Sequence, residues 1–386
     1  MPPIRFIHAA DLHLDAAFSG LSRDIPADFA ERLRTATFTA FRRLLDLCER
    51  ESPDFLLLAG DVYNQEDASV SAQLALRDGF RRLESLSIPV FLVHGNHDPL
   101  ASRLRSVRWP GNVTVFGELP DAVPVFRKGE GTPLAIIHGA SHASGRETRN
   151  LAALFRRTEA CGLHVGLLHA TPGDADGVAR YAPFSQGDLK ASGMDYWALG
   201  HIHDRREVCR EPLAAYPGCT QGLHINEPGE KGCLLVTAEA RPDGGYAVRT
   251  SFRPLGPAVW KTLDMDLGGA ASLDELENRL RTGLDRAAAE VWSGCEMLLV
   301  RLRLQGRTEL DGLLRKGTTC AELADRLRED GSGVPRIWIK DIDVATRPCV
   351  ERGALLERED LLGEVFRLSE AARTASGLQA LREGPL

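Results

Sequence analysis

The chain has 386 residues, 43% of them hydrophobic, which is enough for two domains and a large core. Its net charge is -7 at pH 7, so no general basic field points to a nucleic-acid partner, although a local basic groove is compatible with an acidic protein. No apolar run approaches the length that spans a bilayer, and the N-terminal residues lead into a strand pattern without a signal core. These features predict a soluble cytoplasmic protein without membrane association.

Eight cysteines are scattered along the chain, and none belongs to a C-x-x-C pair. A thiolate metal site and a disulfide framework are therefore not expected.

The first two thirds of the chain alternate buried strand patterns with amphipathic helix patterns. Strands are predicted at 4–10, 54–59, 88–93, 113–117, 123–127, 134–138, 164–168 and 196–199. Helices are predicted at 28–49, 69–86 and 148–160. Residues 206–252 are typical of β structure, with turns marked by Gly and Pro.

The pattern changes near residues 253–257, which contain two prolines. Beyond them the order is strand 260–267, helix 272–289, strand 296–304, helical segments 310–329 and strand 334–344, which predicts a small α+β domain. The tail at 351–382 is predicted to be helical, with an apolar stripe that it cannot bury alone. Predicted domain boundaries are 1–255, 256–347 and 348–386.

Five of the predicted strands end in groups that can bind metal or move protons. These groups are Asp11 and His13, then Asp61, then Asn96, His97 and Asp98, then His169, and finally His201 and His203. Sites in α/β proteins usually lie at the carboxyl ends of strands, so these side chains are expected to meet. Gly95, directly before Asn96, is expected to permit a backbone path that a side chain would resist.

Seven of these groups make a plausible two-metal set of carboxylate, amide and imidazole ligands: Asp11, His13, Asp61, Asn96, His169, His201 and His203. Asp61 is the natural bridge, since one carboxylate can give an oxygen to each ion. Oxygen and imidazole ligands without thiolate suit Mn²⁺, Fe²⁺ or Zn²⁺, and Mn²⁺ is the preferred expectation. His97 is then left as general acid or oxyanion stabiliser, with Asp98 to orient it.

The remaining histidines lack such company, and an isolated His is more often a core residue than a ligand. His8, His138 and His164 lie within predicted strands and are expected to pack. His94 and His142 adjoin the predicted site loops and are candidate phosphate contacts.

The motifs Asp11-x-His13, Gly60-Asp61, Gly95-Asn96-His97-Asp98, His169 and Gly200-His201-x-His203 resemble, in order, those of the calcineurin-like metallophosphoesterases. The resemblance covers about residues 4–250 and implies an α/β fold, a four-layer α-β-β-α sandwich. It implies that one metal takes Asp11, His13, Asp61 and His203. The other would take Asp61, Asn96, His169 and His201, and His97 matches the family's catalytic histidine.

Residues 6–15 and 216–218 resemble more narrowly the bacterial DNA-repair exonucleases of the SbcD and YhaO type. That likeness implies a DNA substrate, a capping domain after Pro257, and tail helices that bind the coiled coil of a partner ATPase. A homodimer through the helix at 69–86 is a further expectation, although an amphipathic core helix explains that segment equally well. Asn64 stands where some of these nucleases carry a second active-site His. Its amide can contact a phosphate oxygen, but it cannot donate a proton as imidazolium does.

Three functions remain open from the sequence. The first is a metal-dependent DNA exo/endonuclease, with Arg103, Arg105 and Arg108 either contacting the phosphate backbone or forming a solvated face. The second is a small-molecule phosphodiesterase or phosphatase on the same dinuclear metal core, although the protein phosphatases differ after the bridging Asp. The third is a non-catalytic binding module, which the complete ligand set argues against.

Overall fold

The computed structural model describes residues 2–21, 25–64, 69–102, 107–173, 180–242, 244–329, 333–349 and 352–373. Its strands, in chain order, are β1 (Ile4–Ala9), β2 (Phe55–Ala59), β3 (Val90–Val93), β4 (Val113–Val115), β5 (Asp121–Val125), β6 (Ala135–Ala140), β7 (Leu163–His169), β8 (Tyr196–Gly200), β9 (Arg206–Arg210), β10 (Leu213–Tyr216), β11 (Gly232–Ala240), β12 (Tyr246–Pro254), β13 (Ala258–Asp266), β14 (Met297–Gln305), β15 (Arg307–Thr308), β16 (Arg336–Val344) and β17 (Arg347–Pro348). Its helices are α1 (Ala27–Arg34), α2 (Ala36–Glu51), α3 (Val70–Ser85), α4 (Gln186–Ala191), α5 (Leu273–Glu290), α6 (Asp311–Leu314), α7 (Thr319–Glu329), α8 (Arg352–Leu356) and α9 (Leu361–Ala371).

The first sheet has the strand order β12-β11-β1-β2-β3-β4. Strands β1 to β4 run parallel, and β11 and β12 extend the sheet antiparallel. Ala9 pairs with Leu58, and Ala59 pairs with Val93, so β1, β2 and β3 end side by side. Nearly every residue of these strands is buried, as in parallel strands that are covered from both sides.

The second sheet has the strand order β5-β6-β7-β8-β10-β9. Its central strands β6, β7, β8 and β10 run parallel, with an antiparallel strand at each edge. His169 pairs with Gly200, so β7 and β8 also end level with each other.

Three hydrophobic clusters show four layers, an α-β-β-α sandwich. Inner-face residues of both sheets, such as Phe6, Phe91 and Tyr196, share one cluster. The other face of the first sheet packs on α2 and α3, with Phe41 and Phe80 as large contributors. The other face of the second sheet is covered by α4 and by the turn at Ala152–Leu154. The predicted four-layer sandwich is confirmed.

Two predicted helices differ from the structure. The helix expected at 28–49 is two helices separated at Thr35, whose hydroxyl donates to the Glu31 carbonyl 3.0 Å away and so competes with continuous helix geometry. The helix expected at 148–160 is wrong, because the structure has only a single 3₁₀ turn there. Asn150 Oδ1 accepts from Ala153 N at 3.1 Å and closes that turn, after which Phe155 is extended and packs on Trp197.

The chain divides into two compact units. The first comprises residues 1–262, 287–300 and 331–340 and contains both six-stranded sheets. The second comprises residues 263–286, 301–330 and 341–386. The predicted boundaries at 255 and 347 stay predictions.

The order of elements after residue 257 is the α+β order expected from the sequence, and β13, β14 and β16 form a three-stranded sheet. In the tail, α8 and α9 are helical, while the predicted helix beyond residue 373 lies outside the described residues. Among the helices that the structure describes, none combines the length and the apolar character of a bilayer crossing.

Candidate metal centre

All seven predicted ligands lie at the carboxyl ends of five strands. Strands β1, β2 and β3 are neighbours in the first sheet, and β7 and β8 are neighbours in the second. Because the strands within each set are parallel, their polar ends meet at one rim of the sandwich. Apolar strands followed at once by carboxylate, amide or imidazole groups thus place the predicted ligands together.

The backbone of several ligands is in the left-handed region. Asp11 has φ 51°, His13 has φ 42°, Asp61 has φ 50° and His201 has φ 104°. Positive φ is uncommon for residues with a side chain, and such positions cluster at functional sites. Two hydrogen bonds hold the first two loops in this shape, Asp11 N to Gly60 O and His13 N to Asp61 O, each 3.1 Å long.

The ligand atoms form two groups that could each hold a cation. Asp11, His13 and His203 form one, and Asp61, His169 and His201 form the other, with ligand atoms in each group within 4.8 Å of one another. Asn96 Oδ1 lies 3.1 Å from His169 Nε2 and so belongs beside the second group. The two groups divide Asp11, His13, His203, His169 and His201 as the family resemblance implies, and the assignment of individual ligands to each cation stays a prediction.

The ring nitrogens of His13 and His203 face each other. Their Nε2 atoms are 3.1 Å apart. In each ring the other nitrogen, Nδ1, already has an acceptor: Asn64 Oδ1 lies 2.8 Å from His13, and Glu227 Oε1 lies 2.6 Å from His203. With Nδ1 as the donor in both rings, both Nε2 atoms face the same space, where each can offer a lone pair to a cation.

His169 is oriented in the same way in the second group. Its Nδ1 donates to the Ala59 carbonyl at 2.9 Å, which leaves Nε2 3.3 Å from Asp61 Oδ2, where it can hold either a proton or a cation. Asp61 Oδ2 also lies 3.9 Å from His13 Nε2, so this oxygen faces ligands of both groups. Its other oxygen, Oδ1, accepts from the backbone N–H of His97 at 2.9 Å.

These contacts test whether the residues fit a pair of divalent cations. The Nε2 atoms of His13, His169 and His203 converge on the carboxylates of Asp11 and Asp61, which are almost fully buried. Such a set is repulsive by itself and becomes favourable when cations occupy the space between the donors. Oxygen and imidazole donors suit Mn²⁺, Fe²⁺ or Zn²⁺. The residues therefore fit a dinuclear metal centre.

The electrostatics of the metal-free chain show the same conflict. Burial raises the pKa of Asp11 to about 6, and the nearby Asp61 charge adds to that rise. Burial would also raise the pKa of Asp61, but the adjacent His169 and His13 hold it well below its usual value. Burial opposes protonation of His169, yet the carboxylates of Asp61 and Asp11 raise its pKa to about 9. In the absence of a cation, a proton on His169 therefore supplies part of the missing positive charge.

His97 stands at the solvent side of the centre. Its side chain is exposed, and its ring centroid lies 5.1 Å from that of His13. A substrate bound at the cations can therefore reach this imidazole, as a general acid requires.

Asp98 has partners other than the predicted one. Its oxygens accept from Gly95 N at 2.8 Å and from Val62 N at 3.0 Å, and Oδ2 lies 3.4 Å from Nδ1 of His94. The expectation that Asp98 orients His97 is therefore corrected. The Asp98 carboxylate is buried beneath the loop, where two backbone N–H groups need an acceptor, while the His97 side chain points outward.

The other histidines mostly take packing or supporting positions. His142 is fully buried, with Nε2 2.6 Å from the carbonyl of His169, so it supports that strand end and does not face a phosphate. The predicted packing of His8, His138 and His164 is confirmed, since all three are buried.

Gly95 lies too close to neighbouring side chains to carry one of its own. A Cβ at this position would overlap Asp61 Oδ1 and would lie 2.8 Å from His169 Nε2. The glycine thus permits the catalytic loop to lie directly against a ligand of the centre.

Sequence reasoning missed Glu227. This residue follows His203 by 24 positions, in a segment whose Gly and Pro residues predict turns. Its carboxylate makes a 2.6 Å contact with the His203 ring. Burial opposes its ionisation, but the hydrogen bond from His203 lowers the pKa of Glu227 to about 2. No spacing rule connects the two positions, so the sequence carried no signal for this pair.

The profile of the calcineurin-like phosphoesterases matches residues 4–205, more than half of the chain. The chain belongs to this family. Its members use a dinuclear metal centre, in agreement with the two ligand groups. A second profile, the middle domain of metallophosphoesterase YhaO, matches residues 260–347.

Proteins of similar sequence align with most of this metallophosphoesterase. It is 34% identical to the uncharacterized metallophosphoesterase YhaO of Bacillus subtilis, over 99% of this chain and 91% of that one. It is 28% identical to the DNA double-strand break repair protein Mre11 of Aeropyrum pernix, over 75% and 69% of the two chains. The Mre11 protein of Haloferax volcanii is 24% identical, over 95% and 78%.

Proposed function

We propose that this metallophosphoesterase is a DNA exo/endonuclease that hydrolyses phosphodiester bonds with two divalent cations, Mn²⁺ by preference, and acts in DNA repair. The observation that carries the proposal is the pair of ligand groups facing one Asp61 oxygen, with an exposed His97 beside them. Similarity to Mre11 proteins over most of the chain supports DNA as the substrate.

The chain's own residues would divide the chemistry as follows. When bound, two divalent cations would neutralise charge on the attacked phosphoryl group and lower the pKa of water. Asp61 holds both positions in register, because Oδ2 faces both ligand groups while the His97 N–H fixes Oδ1. The His97 imidazole then donates a proton to the leaving sugar oxygen. Asn64 retains an amide N–H₂ for a phosphate oxygen, since its Oδ1 is engaged by His13.

Arginines close to the centre are candidate contacts for the DNA backbone. Arg205 and Arg206 follow Asp204, the residue after His203, and are exposed, with guanidinium groups over the rings of Phe252 and Tyr216 at 4.1 and 5.6 Å. Arginine held flat on an aromatic ring keeps its outer N–H groups free for phosphate oxygens. Arg108 is exposed as well, whereas Arg103 and Arg105 lie outside the described residues.

Partners and location complete the proposal. Helix α9 exposes Leu361, Leu362, Val365 and Leu368, an apolar face that a coiled coil of a partner ATPase would cover. Helix α3 exposes Val70 and Leu74 one turn apart, which would suit a homodimer. A cytoplasmic location is part of the same proposal.

The test is a comparison of substrates with Mn²⁺. The protein is incubated with linear double-stranded and single-stranded DNA, with cyclic nucleotides and with bis(p-nitrophenyl) phosphate. Cleavage of DNA that is lost in the His97→Asn variant supports the nuclease. Turnover of the small esters alone would replace it with a small-molecule phosphodiesterase, and turnover of none would favour a binding module.

A further inference from the structure

The segment from Cys219 to Gly232 encloses one ligand of the metal centre, His203. Cys219 N donates to the His203 carbonyl at 3.3 Å, and Gly232 N donates to the Cys219 carbonyl at 3.1 Å. The two ends of the segment are thereby tied to each other beside the ligand. Two charged side chains of the segment, Glu227 and Lys231, then contact His203 itself.

Glu227 uses both carboxylate oxygens. Oε1 accepts from His203 Nδ1 at 2.6 Å, and Oε2 accepts from Leu223 N at 2.6 Å. The second bond anchors the carboxylate within its own turn, so the first bond fixes the imidazole relative to the backbone of that turn. The His203 ring is thus held with Nδ1–H toward Glu227 and Nε2 toward the ligand group of Asp11 and His13.

Lys231 fixes the backbone of the same ligand. Its side chain is only 5% exposed, and Nζ donates to the His203 carbonyl at 3.0 Å and to Asp204 Oδ1 at 3.1 Å. Ring and main chain of His203 are therefore both held by the segment 219–232. These two separate contacts, one with the ring and one with the main chain, indicate that the segment positions His203 and does not merely lie beside it.

Among the proposed ligands, His13 and His169 also have a described Nδ1 partner, and in both cases this partner is a neutral group. His169 donates to a backbone carbonyl, and His13 donates to an amide oxygen. A carboxylate partner raises the basicity of the metal-facing nitrogen more than a neutral acceptor does, because it stabilises positive charge on the ring. His203 therefore receives a charged support that His13 and His169 do not receive.

We propose that Glu227 is a positioning residue that strengthens cation binding at the group of Asp11, His13 and His203, and that the group of Asp61, His169 and His201 does not depend on it. Glu227 acts through His203, because Oε1 contacts Nδ1 of this ring while Nε2 of the same ring faces Asp11 and His13. The proposal rests on the dinuclear centre and is independent of DNA as the substrate.

The test compares Glu227→Gln with Glu239→Gln, a matched change at an exposed residue near the end of β11. Mn²⁺ is titrated calorimetrically into each metal-free protein. In Glu227→Gln we expect one of two stepwise affinities to fall about 10- to 100-fold and the other to change little. Glu239→Gln should match the wild type at both steps.

The affected site is then assigned in crystals soaked at limiting Mn²⁺. The anomalous peak beside His203 should lose occupancy in Glu227→Gln relative to the peak beside His169. An equal loss at both sites, or no loss at either, would overturn the proposal.

A measurement without metal separates positioning from folding. In NMR spectra of protein with ¹⁵N-labelled histidine, the wild-type His203 ring should show a proton on Nδ1. Glu227→Gln should weaken the hydrogen bond that this proton makes. The midpoint of thermal unfolding of Glu227→Gln should stay near that of Glu239→Gln. If the midpoint falls steeply in Glu227→Gln, the residue is structural and the proposal fails. Selective loss of one Mn²⁺ site in a protein that cleaves no DNA would support the proposal and refute only the nuclease.

Discussion

His13, His169 and His203 each turn Nδ1 toward an oxygen acceptor and Nε2 toward buried carboxylates. The residue types at the strand ends could be predicted from the sequence, because carboxylate, amide and imidazole groups directly follow apolar runs. Their orientation could not, since the acceptors are a backbone carbonyl, an amide 51 positions from its partner and a carboxylate in a distant turn. These partners exist only once the chain has folded.

The exposed side chain of His97 carries the proposed proton transfer. Replacing it by Asn should lower kcat about 100- to 10,000-fold, because a positioned acid contributes that much to a reaction of this kind. Bound Mn²⁺, measured by elemental analysis after dialysis, should stay at the wild-type level, since the His97 side chain faces solvent outside the two ligand groups.

His164→Asn is the control, because His164 is an imidazole at the start of β7, outside the two ligand groups and outside the segment 219–232. It should leave kcat close to that of the wild type. Wild-type turnover in His97→Asn would contradict the assigned role of His97.

At the scale of elements, the strands of the sandwich were the most predictable part of the fold. Short apolar runs ended by polar groups are a strong local signal, and the observed ends of β1, β2 and β8 lie within one residue of the predicted ones. The helix at 148–160 failed because its apolar residues are buried by one turn and an extended segment, with Asn150 closing the turn. Helix α4 was missed despite its capping box of Ser185 and Asp188.

The loop after β3 depends on the absence of a side chain at position 95. In Gly95→Ala the new methyl group would overlap Asp61 Oδ1 and displace it. Because Asp61 is a proposed metal ligand, this displacement should lower the reaction rate about 100-fold. Overpacking of the same site should lower the free energy of unfolding by about 1–3 kcal/mol.

The matched change is Gly117→Ala, because a Cβ there meets no described atom within 4 Å and the residue follows the neighbouring strand β4. Steady-state rates and urea unfolding are measured for both variants, and only Gly95→Ala should lower the rate and the free energy of unfolding. Equal effects of the two substitutions would mean that contact with Asp61 does not constrain position 95.

At the scale of the whole molecule, the layers of the sandwich followed from the family motifs, but the links between layers did not. His8 of β1 lies in the first sheet, and its ring contacts the second: Nδ1 is 2.9 Å from the Tyr196 hydroxyl and Nε2 is 3.1 Å from the Leu199 carbonyl. A strand pattern shows that His8 is buried but not which sheet it meets. The division into two units is likewise a property of the folded chain, since the first unit collects three separate segments.

Acid should destabilise the protein partly through His8. Burial lowers the pKa of His8 to about 3, whereas the unfolded chain takes up this proton near pH 6.5. The unfolded state therefore binds more protons below pH 6.5, so this contribution to stability is complete above pH 6.5 and is lost progressively toward pH 3.

The check is the free energy of unfolding of metal-free protein measured against pH. Between about pH 6 and 4, His8→Gln should show a slope shallower than the wild type by up to about 1.4 kcal/mol per pH unit. Identical slopes would mean that His8 is protonated in the folded state at these pH values.

The central feature of the proposed site is a pair of cations that share the carboxylate of Asp61. Anomalous diffraction at the manganese edge, from a crystal soaked in Mn²⁺, tests this directly. We predict two peaks about 3.5–4 Å apart, one beside Asp11, His13 and His203 and one beside Asn96, His169 and His201, with Asp61 between them. A single peak, or peaks away from Asp61, would contradict the dinuclear centre.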